Sequence, residues 1–555
     1  MNLWNISHSD ESHYTIPQML RWLWRAWRGN RLQATLNASV GLLGVGCSLA
    51  SVWAMKRAID TASGVRPGSV FWAVGVMALI ILAEFALGIS RVWIKNILGI
   101  KAQNRMQQQM LGRLLRSEWR GREAMHSGDV INRLESDVNH VVNFLTETLP
   151  STLSTLALFI GAFSYLFSMD RWLAFITIAI LPVFILFSRV YVSRMRQLSR
   201  VIRQSDSLVQ NLLTETMQHR VLVKTMEADD LMLDRLDDTQ QELRSRVKRR
   251  TAFSVASNLI LNTGFSMGYL VAFLWGALRL QAGTITFGAM TAFLQLVYRI
   301  QGPARSLTKL APAFVGVFTA TERLMELEEV PEEVQGEPQM MEGPCGIKFK
   351  NVDYHYADDQ QQLVVSQANY DFTPGSCTAI LGETGGGKTT LIRLLLALVK
   401  PTGGEITIYA DGQQEVTLSP LHRCNFVYVP QGNTLLSGTL RDNLLLGNPH
   451  ATDEQLQQAL HTVCADFVDS LPKGLDTVMA EHGSGLSEGQ AQRIAIARAL
   501  LRPGSIMLLD EATSALDSDT ERQLLSNLLS DHHRTVIFVT HRPSVIEYCD
   551  RVIEK

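Results

Sequence analysis

The chain has 555 residues, too many for one ordinary domain, so two or three units are expected. It carries 51 Lys+Arg against 53 Asp+Glu, a net charge of −2, which gives no electrostatic case for nucleic acid as a partner. Charged residues make up 19% and apolar residues 46%, and six cysteines follow neither a CxxC nor a framework spacing. Disorder, collagen and small disulfide-stapled scaffolds are excluded, and reduced thiols are expected.

Residues 1–31 open with a polar stretch holding Asp10 and Glu11, without the basic start and apolar centre of a signal peptide. Trp22, Trp24 and Trp27 then alternate with Arg21, Arg25, Arg28 and Arg31, a pattern that suits a helix lying in the headgroup layer. Residues 32–325 read as an all-α membrane domain. Leu32–Met55, Thr148–Met169, Trp172–Ser188, Ala252–Leu278 and Leu280–Tyr298 contain no Asp, Glu, Lys or Arg, and Ser69–Ile94 is broken only by Glu84 and Arg91. Six runs of this length predict six transmembrane helices.

The spacing groups the spans in pairs, with turns at Lys56–Gly68, at Asp170-Arg171 and around Arg279. Two long polar segments between the pairs, about 95–147 and 189–251, hold almost no Pro or Gly and read as helical extensions into water. Arg and Lys number nine from Arg91 to Arg133 and thirteen from Arg189 to Arg250, against five in the opposite loops. The positive-inside rule puts those extensions and both termini in the cytoplasm of a multi-pass cell-membrane protein.

Residues 326–345 are Glu-rich and punctuated by Pro331, Pro338 and Pro344, the composition of a linker. From 346 to 555, short β-like runs (Thr378–Leu381, Phe426–Val429, Ile506–Leu509, Val536–Val539) alternate with helical ones, predicting an α/β domain around a mostly parallel sheet. The first of these runs is followed by Gly382, Glu383, Thr384, Gly385, Gly386, Gly387, Lys388 and Thr389, then by a leucine-rich helix from Thr390. Glycines let successive N–H groups curl around phosphate at a helix N-terminus, with Lys388 toward the β/γ-phosphates and the Thr389 hydroxyl toward Mg²⁺. Ile506–Leu509 ends in Asp510 and Glu511, placed to hold the metal through water and to polarise an attacking water.

Leu486-Ser487-Glu488-Gly489-Gln490, about twenty residues before that strand, is similar to the signature motif of ATP-binding-cassette proteins, with Glu488 where the family usually has Gly. The resemblance implies further roles. Gln431 looks like the residue that touches Mg²⁺ and the lytic water, Ser514-Ala-Leu-Asp517 like the D-loop, and His541 like the switch histidine on the γ-phosphate. Tyr356 matches the aromatic that stacks on adenine, ahead of Tyr354. Six spans ahead of one cassette resemble an exporter half-transporter of the type IV class, in which ATP is sandwiched between the phosphate loop of one cassette and Ser487, Gly489 and Gln490 of another.

The implied partner is a second copy of the chain or a related half-transporter, and the implied activity is ATP-driven export or flipping of an amphipathic lipid-like or drug-like molecule. A cargo-free membrane ATPase that gates or senses, and an importer on the same fold, stay open. The resemblance also implies stalk tips near Trp119–His126 and Glu215–Val223, with Ser127–Asp137 similar to the family's pattern after the first. The family's cassette normally continues past the point where this chain stops, so a shortened C-terminal end is expected. No peptidase-like segment precedes the spans, so leader cleavage is not expected. Glu84 is the acidic residue well inside a span; it could meet a cationic cargo or a proton, or bond a neighbouring span. Asn258, Asn262 and Ser266 share one helical face, to line a cavity or to join helices.

Overall fold

The charge-free runs become long helices. The computed structural model describes residues 14–554 except 120–126, 180, 308–309, 357–362, 383–385, 480–484 and 531–532. The chain divides into two units: Met1–Leu111 with Val130–Leu327, and Gly112–Asp129 with Glu328–Lys555.

In the first unit, four helices among the described residues are long and apolar enough to cross a membrane: Arg31–Ala62, Val70–Leu115, Gly128–Met169 and Asp229–Gln281. The other two apolar runs fall on Arg171–Ala179 with the start of Leu181–Gln218, and on Phe287–Leu307. At 46 and 53 residues, Val70–Leu115 and Asp229–Gln281 far exceed a bilayer's need. A rise of 1.5 Å per residue makes them about 70 and 80 Å long, more than twice the ~30 Å hydrocarbon core. The expected polar extensions are thus continuous with the spans.

Helix ends differ from the expected loops in two places. The first helix runs on to Ala62, through Lys56, Arg57 and Asp60. Arg57 can stay helical because its guanidinium lies over the rings of Trp53 and Trp72, at 5.3 and 5.5 Å. The third turn sits at Gly283, with φ +69°, rather than around Arg279. Leu280 therefore belongs to the fifth helix, and the sixth starts at Phe287. The short turn at Asp170 is anchored instead. Its Oδ1 accepts from Leu173 N–H at 3.0 Å and its Oδ2 from Trp275 Nε1–H at 3.1 Å, with Arg279 at 3.6 Å.

The tryptophan–arginine segment forms a helix, Ile16–Ala26, started by a Thr15/Gln18 capping box with Pro17 in its first turn. Trp22 and Trp27 are buried, whereas Trp24 is exposed beneath the Arg31 guanidinium. Of the expected stalk tips, the first lies outside the described residues beyond Trp119. The second falls on the end of Leu181–Gln218 and a short helix, Arg220–Thr225, where Met217, Val221 and Leu222 are exposed.

The second unit holds two five-stranded sheets. One is antiparallel, in the order Val365–Ala368, Cys345–Tyr354, Gly403–Ala410, Val416–Thr417, with Asp371–Phe372 also on Cys345–Tyr354. The other is parallel, in the order Arg551–Glu554, Cys377–Leu381, Thr535–Val539, Ile506–Asp510, Phe426–Val429. Its inner strands are buried along their length, as expected where helices cover both faces. The six cysteines are free thiols.

The acidic stretch is not a free linker. The helix Leu310–Glu329 runs into it, and beyond that it lies on the cassette. Arg423 grips Glu333 through two 2.7 Å bonds, Met341 N–H donates to Asn425, and Gln339 N–H to the Leu421 carbonyl. Residues 112–119 join the same unit: Ser117 bridges to Glu332, Lys400 bonds Glu118 at 2.6 Å, and Arg393 lies over the Trp119 ring.

Candidate functional site

The phosphate loop follows the half-buried C-terminal end of the strand Cys377–Leu381. Glu383, Thr384 and Gly385 lie outside the described residues. Gly387 caps the helix Lys388–Leu395 with φ 82°, a left-handed conformation that only glycine adopts without strain. Lys388 Nζ donates to the Gly382 carbonyl at 2.9 Å, folding back over the loop. The two threonines that follow part company: Thr389 is exposed at the helix N-terminus, while Thr390 is buried.

Thr390 meets Tyr356. The hydroxyls are 2.8 Å apart, and Arg393 donates to the Tyr356 hydroxyl at 3.0 Å. Tyr356 is buried at 6% exposure, edge-on to an equally buried Tyr354. The ring that the resemblance assigns to adenine stacking is therefore packed inside, where it braces the start of the phosphate-loop helix.

Three elements converge on the carboxylates at the end of Ile506–Asp510. Glu511 has φ 48°, costly for a non-glycine residue and held by its N–H on the Val539 carbonyl at 2.8 Å. That turn aims its side chain at three partners. Gln431 Nε2 donates to Oε2 at 2.7 Å, His541 Nδ1 lies 3.4 Å from Oε1, and Lys388 Nζ 4.0 Å from Oε1. The Asp510 carboxyl is pushed up to about 6 by burial and by the charge of Glu511, against the opposing pull of Lys388 and Tyr428.

Two carboxylates share one lysine here, and the available donors are hard oxygens on Thr389, Asp510 and Gln431. That set suits Mg²⁺, which typically takes one or two protein oxygens and completes its shell with water and phosphate. Among the described residues no three His, Cys, Asp or Glu side chains cluster as a self-sufficient metal site. The residues thus fit a metal that arrives with a nucleotide.

The signature segment forms a second, separate constellation. Ser487 caps the helix Glu488–Leu500 in a capping box with Gln490, through bonds of 2.9 and 3.3 Å. Gly489 abuts the D-loop so closely that a Cβ there would lie 2.7 Å from the Ala515 carbonyl oxygen. Two residues that the motifs did not single out fasten this contact. The buried Gln492 donates to Ser514 Oγ and accepts from Ala515 N–H, both at 3.1 Å. Arg542, next to His541, donates to the carbonyls of Ser514 and Leu516 at 2.6 and 3.2 Å. Asp517 then caps the next helix by accepting from Thr520 N–H at 3.0 Å, which holds its carboxyl below the usual range. Ser487–Gln490 make no hydrogen bond or ion pair with the described residues of the phosphate loop.

In the membrane unit, Glu84 makes neither a hydrogen bond nor an ion pair among the described residues, so it does not join neighbouring spans through one. It lines a cavity of about 300 Å³ together with Arg91. A second cavity, of about 710 Å³, is lined by Tyr269, Gln295, Tyr298 and Arg299. Asn258, Asn262 and Ser266 are exposed in the single chain. Arg91 and Arg299 were not flagged by sequence as cavity residues: the first interrupts an apolar run and the second ends one, both common at membrane boundaries.

A long-helix membrane unit followed by a cassette with this phosphate loop and signature helix defines an ATP-driven membrane transporter. Residues 36–303 match the family described as the ABC transporter transmembrane region, and residues 365–514 match the ABC transporter family. The chain belongs to the ABC transporter family, in the half-transporter arrangement of one membrane region and one cassette, and couples ATP hydrolysis to transport. It is 29% identical to an ATP-dependent lipid A-core flippase of Bordetella avium over 95% of this chain and 89% of that one. It is 31% identical to a Staphylococcus aureus protein named "Putative multidrug export ATP-binding/permease protein", over 77% of this chain and 74% of that one. Its fold is similar to that of a bacterial Atm1-family ABC exporter with ATP bound, with a TM-score of 0.77, 23% identity, and coverage of 95% and 93%.

Proposed function

We propose that two copies of this chain form a homodimeric exporter or flippase for an amphipathic molecule, with Mg²⁺-ATP bound at two composite sites. In each site, Lys388, Thr389 and the glycines of one cassette face Ser487, Gly489 and Gln490 of the other. Glu511 carries this reading. Its strained backbone and its three polar neighbours hold a carboxylate where it can take a proton from water, the preorganisation that proton transfer requires.

Thr389, Asp510 and Gln431 would hold Mg²⁺, which would offset the negative charge of the phosphates. Glu511 orients water and removes its proton, while Gln431 and His541 fix the direction of the carboxylate. Lys388 stabilises charge on the transferred phosphoryl group. Asp517, through the D-loop, and Gln492 keep each signature helix in register with the chemistry of its own chain. Because Ser487–Gln490 make no hydrogen bond or ion pair with the described residues of their own phosphate loop, nucleotide would bind the closed pair better than the open one, and closure biases the membrane helices toward outward opening. The Arg- and Lys-rich extensions favour a cytoplasmic cassette and cytoplasmic termini. A lipid-like or drug-like cargo agrees with the names of the relatives in the flippase and multidrug-export groups.

The test is ATPase activity of the chain purified alone into lipid nanodiscs, beside Glu511→Gln, with particle mass recorded. Turnover from a two-copy particle, lost by about 10²–10⁴-fold in the variant with nucleotide binding kept, is expected. A folded single-chain preparation that binds ATP without turnover overturns the homodimer.

A further inference from the structure

Charge inside a bilayer is tolerated where it is paired or faces a polar cavity. Glu84 and Arg91 lie two turns apart on the helix Val70–Leu115, about 10 Å along its axis, too far to neutralise each other. Neither has a hydrogen bond or ion pair among the described residues, yet both line the same cavity of about 300 Å³. Small residues make that space. Gly44 and Gly88 have nothing within 4 Å of where a Cβ would stand, and the Arg91 guanidinium carbon would lie 3.6 Å from a Cβ on Gly41.

The second cavity, of about 710 Å³, shares Leu158 with the first, so the two adjoin along one helix. Arg299 lines it and, among the described residues, donates to Ser51 Oγ at 3.1 Å. Glu84 is near enough to Arg299 to interact with its charge. Two guanidiniums and one carboxylate therefore converge on adjoining, otherwise largely apolar space inside the membrane unit, leaving one net positive charge. A cationic head in the cavity of about 300 Å³ meets Arg91 beside Glu84, with Arg299 in the adjoining one. An anionic head meets two donors whose planar forks match phosphate or carboxylate oxygens.

We propose that these cavities form an anion-headgroup site, in which Arg91 and Arg299 grip the phosphate or carboxylate head of an amphiphile whose tail lies along the apolar lining. Glu84 limits the net charge the site accepts. This rests on the transport reading above while naming the cargo's class, and of the roles left open for Glu84 it does not take that of a cation's partner.

The full chain in phosphatidylcholine nanodiscs, with empty discs as blank, is titrated with dodecyl phosphate, dodecyltrimethylammonium, dodecyl maltoside and ethyl phosphate. Affinity is measured directly and ATP turnover in parallel. Dodecyl phosphate is expected to bind best, with Arg91→Gln and Arg299→Gln each weakening it roughly tenfold or more, the loss of a charge-assisted contact. Arg299→Lys restores part of that affinity, and Glu84→Gln tightens dodecyl phosphate. The phosphate head without a tail, as ethyl phosphate, is expected to bind weakly; equal binding by both overturns the amphiphile and leaves a free anion as ligand. Affinity for the trimethylammonium probe equal to or above that for the phosphate, or dodecyl phosphate binding untouched by both arginine variants, overturns the site. Turnover that no probe alters, with binding intact, counts against the transport reading alone.

Discussion

The cassette and the membrane unit handle charge in opposite ways. Around Glu511 the cassette supplies Gln431, His541 and Lys388, and the strands Ile506–Asp510 and Thr535–Val539 beneath the site are buried almost throughout. In the membrane unit, Glu84 and Arg91 make no hydrogen bond or ion pair among the described residues, and Phe71, Trp93 and Tyr298 are at least 71% exposed. Water is the solvent for one and hydrocarbon for the other, so an exposed aromatic is ordinary on a span and an unpaired charge is not. The cassette gathers its polar groups around one carboxylate, whereas the membrane unit sets Glu84 and Arg91 beside open space.

The contrast can be broken first at glycines. Gly489→Ala drives a Cβ to 2.7 Å from the Ala515 carbonyl, and the clamp of Gln492 and Arg542 leaves the D-loop little room to yield. Overpacking of this kind costs about 1–3 kcal/mol, and a comparable loss in the transition state slows ATP turnover about tenfold or more. Gly99→Ala, on the helix Val70–Leu115 with nothing within 4 Å, is expected to change thermal stability by less than about 1 kcal/mol. Thermal unfolding and ATPase assays on both variants decide the matter. A large loss at Gly99 shows that a second chain packs there.

Arg423→Met tests what burial adds to an ion pair within the cassette. It removes both bonds to Glu333 and those to the Leu396 and Ala397 carbonyls, leaving the carboxylate, only 14% exposed, without its cation. A loss of about 2 kcal/mol in unfolding free energy is expected, more than an exposed pair contributes because both groups are largely covered. Arg441 with Asp453 and Asp476, whose carboxylates are about two-thirds exposed, is the control; Arg441→Met should cost under about 1 kcal/mol. Equal losses mean that burial is not what gives the Glu333 pair its weight.

What could be read from sequence was what is local. The phosphate loop, the Asp510-Glu511 pair and the four strand runs depend on neighbours within a few residues, and the strands were placed to within about one position. Charge-free windows found the spans but misplaced their ends, because Lys56 and Arg57 can remain helical at a membrane surface and Gly283, not Arg279, turns the chain. Composition read 326–345 as a linker since the partners of its acids lie far along the chain, Arg423 being 90 residues from Glu333. Gln492 and Arg542 escaped for the same reason: their D-loop partners lie more than twenty residues away. Tyr356 carries the family pattern, yet its burial follows from Thr390 and Arg393, which no spacing rule ties to it.

The smallest expected effect lies at Asp170, where the membrane unit behaves like the cassette. Its two oxygens are both engaged, one capping the following helix and the other receiving Trp275, with Arg279 beyond. Asp170→Asn keeps a competent cap but loses the charge facing Arg279. That arginine is 40% exposed and screened, so about 0.5 kcal/mol is expected from the ion pair. Asp170→Ala also removes the cap and the Trp275 acceptor, raising the loss to about 1–2 kcal/mol. Thermal denaturation in one detergent, with Trp275→Phe combined with each variant, separates the parts. If Ala costs no more than Asn, the cap and the indole bond contribute nothing, and this end of the spans is held by apolar packing alone. If the Trp275→Phe loss disappears in the Ala background, the buried carboxylate joins the third and fifth spans through that indole.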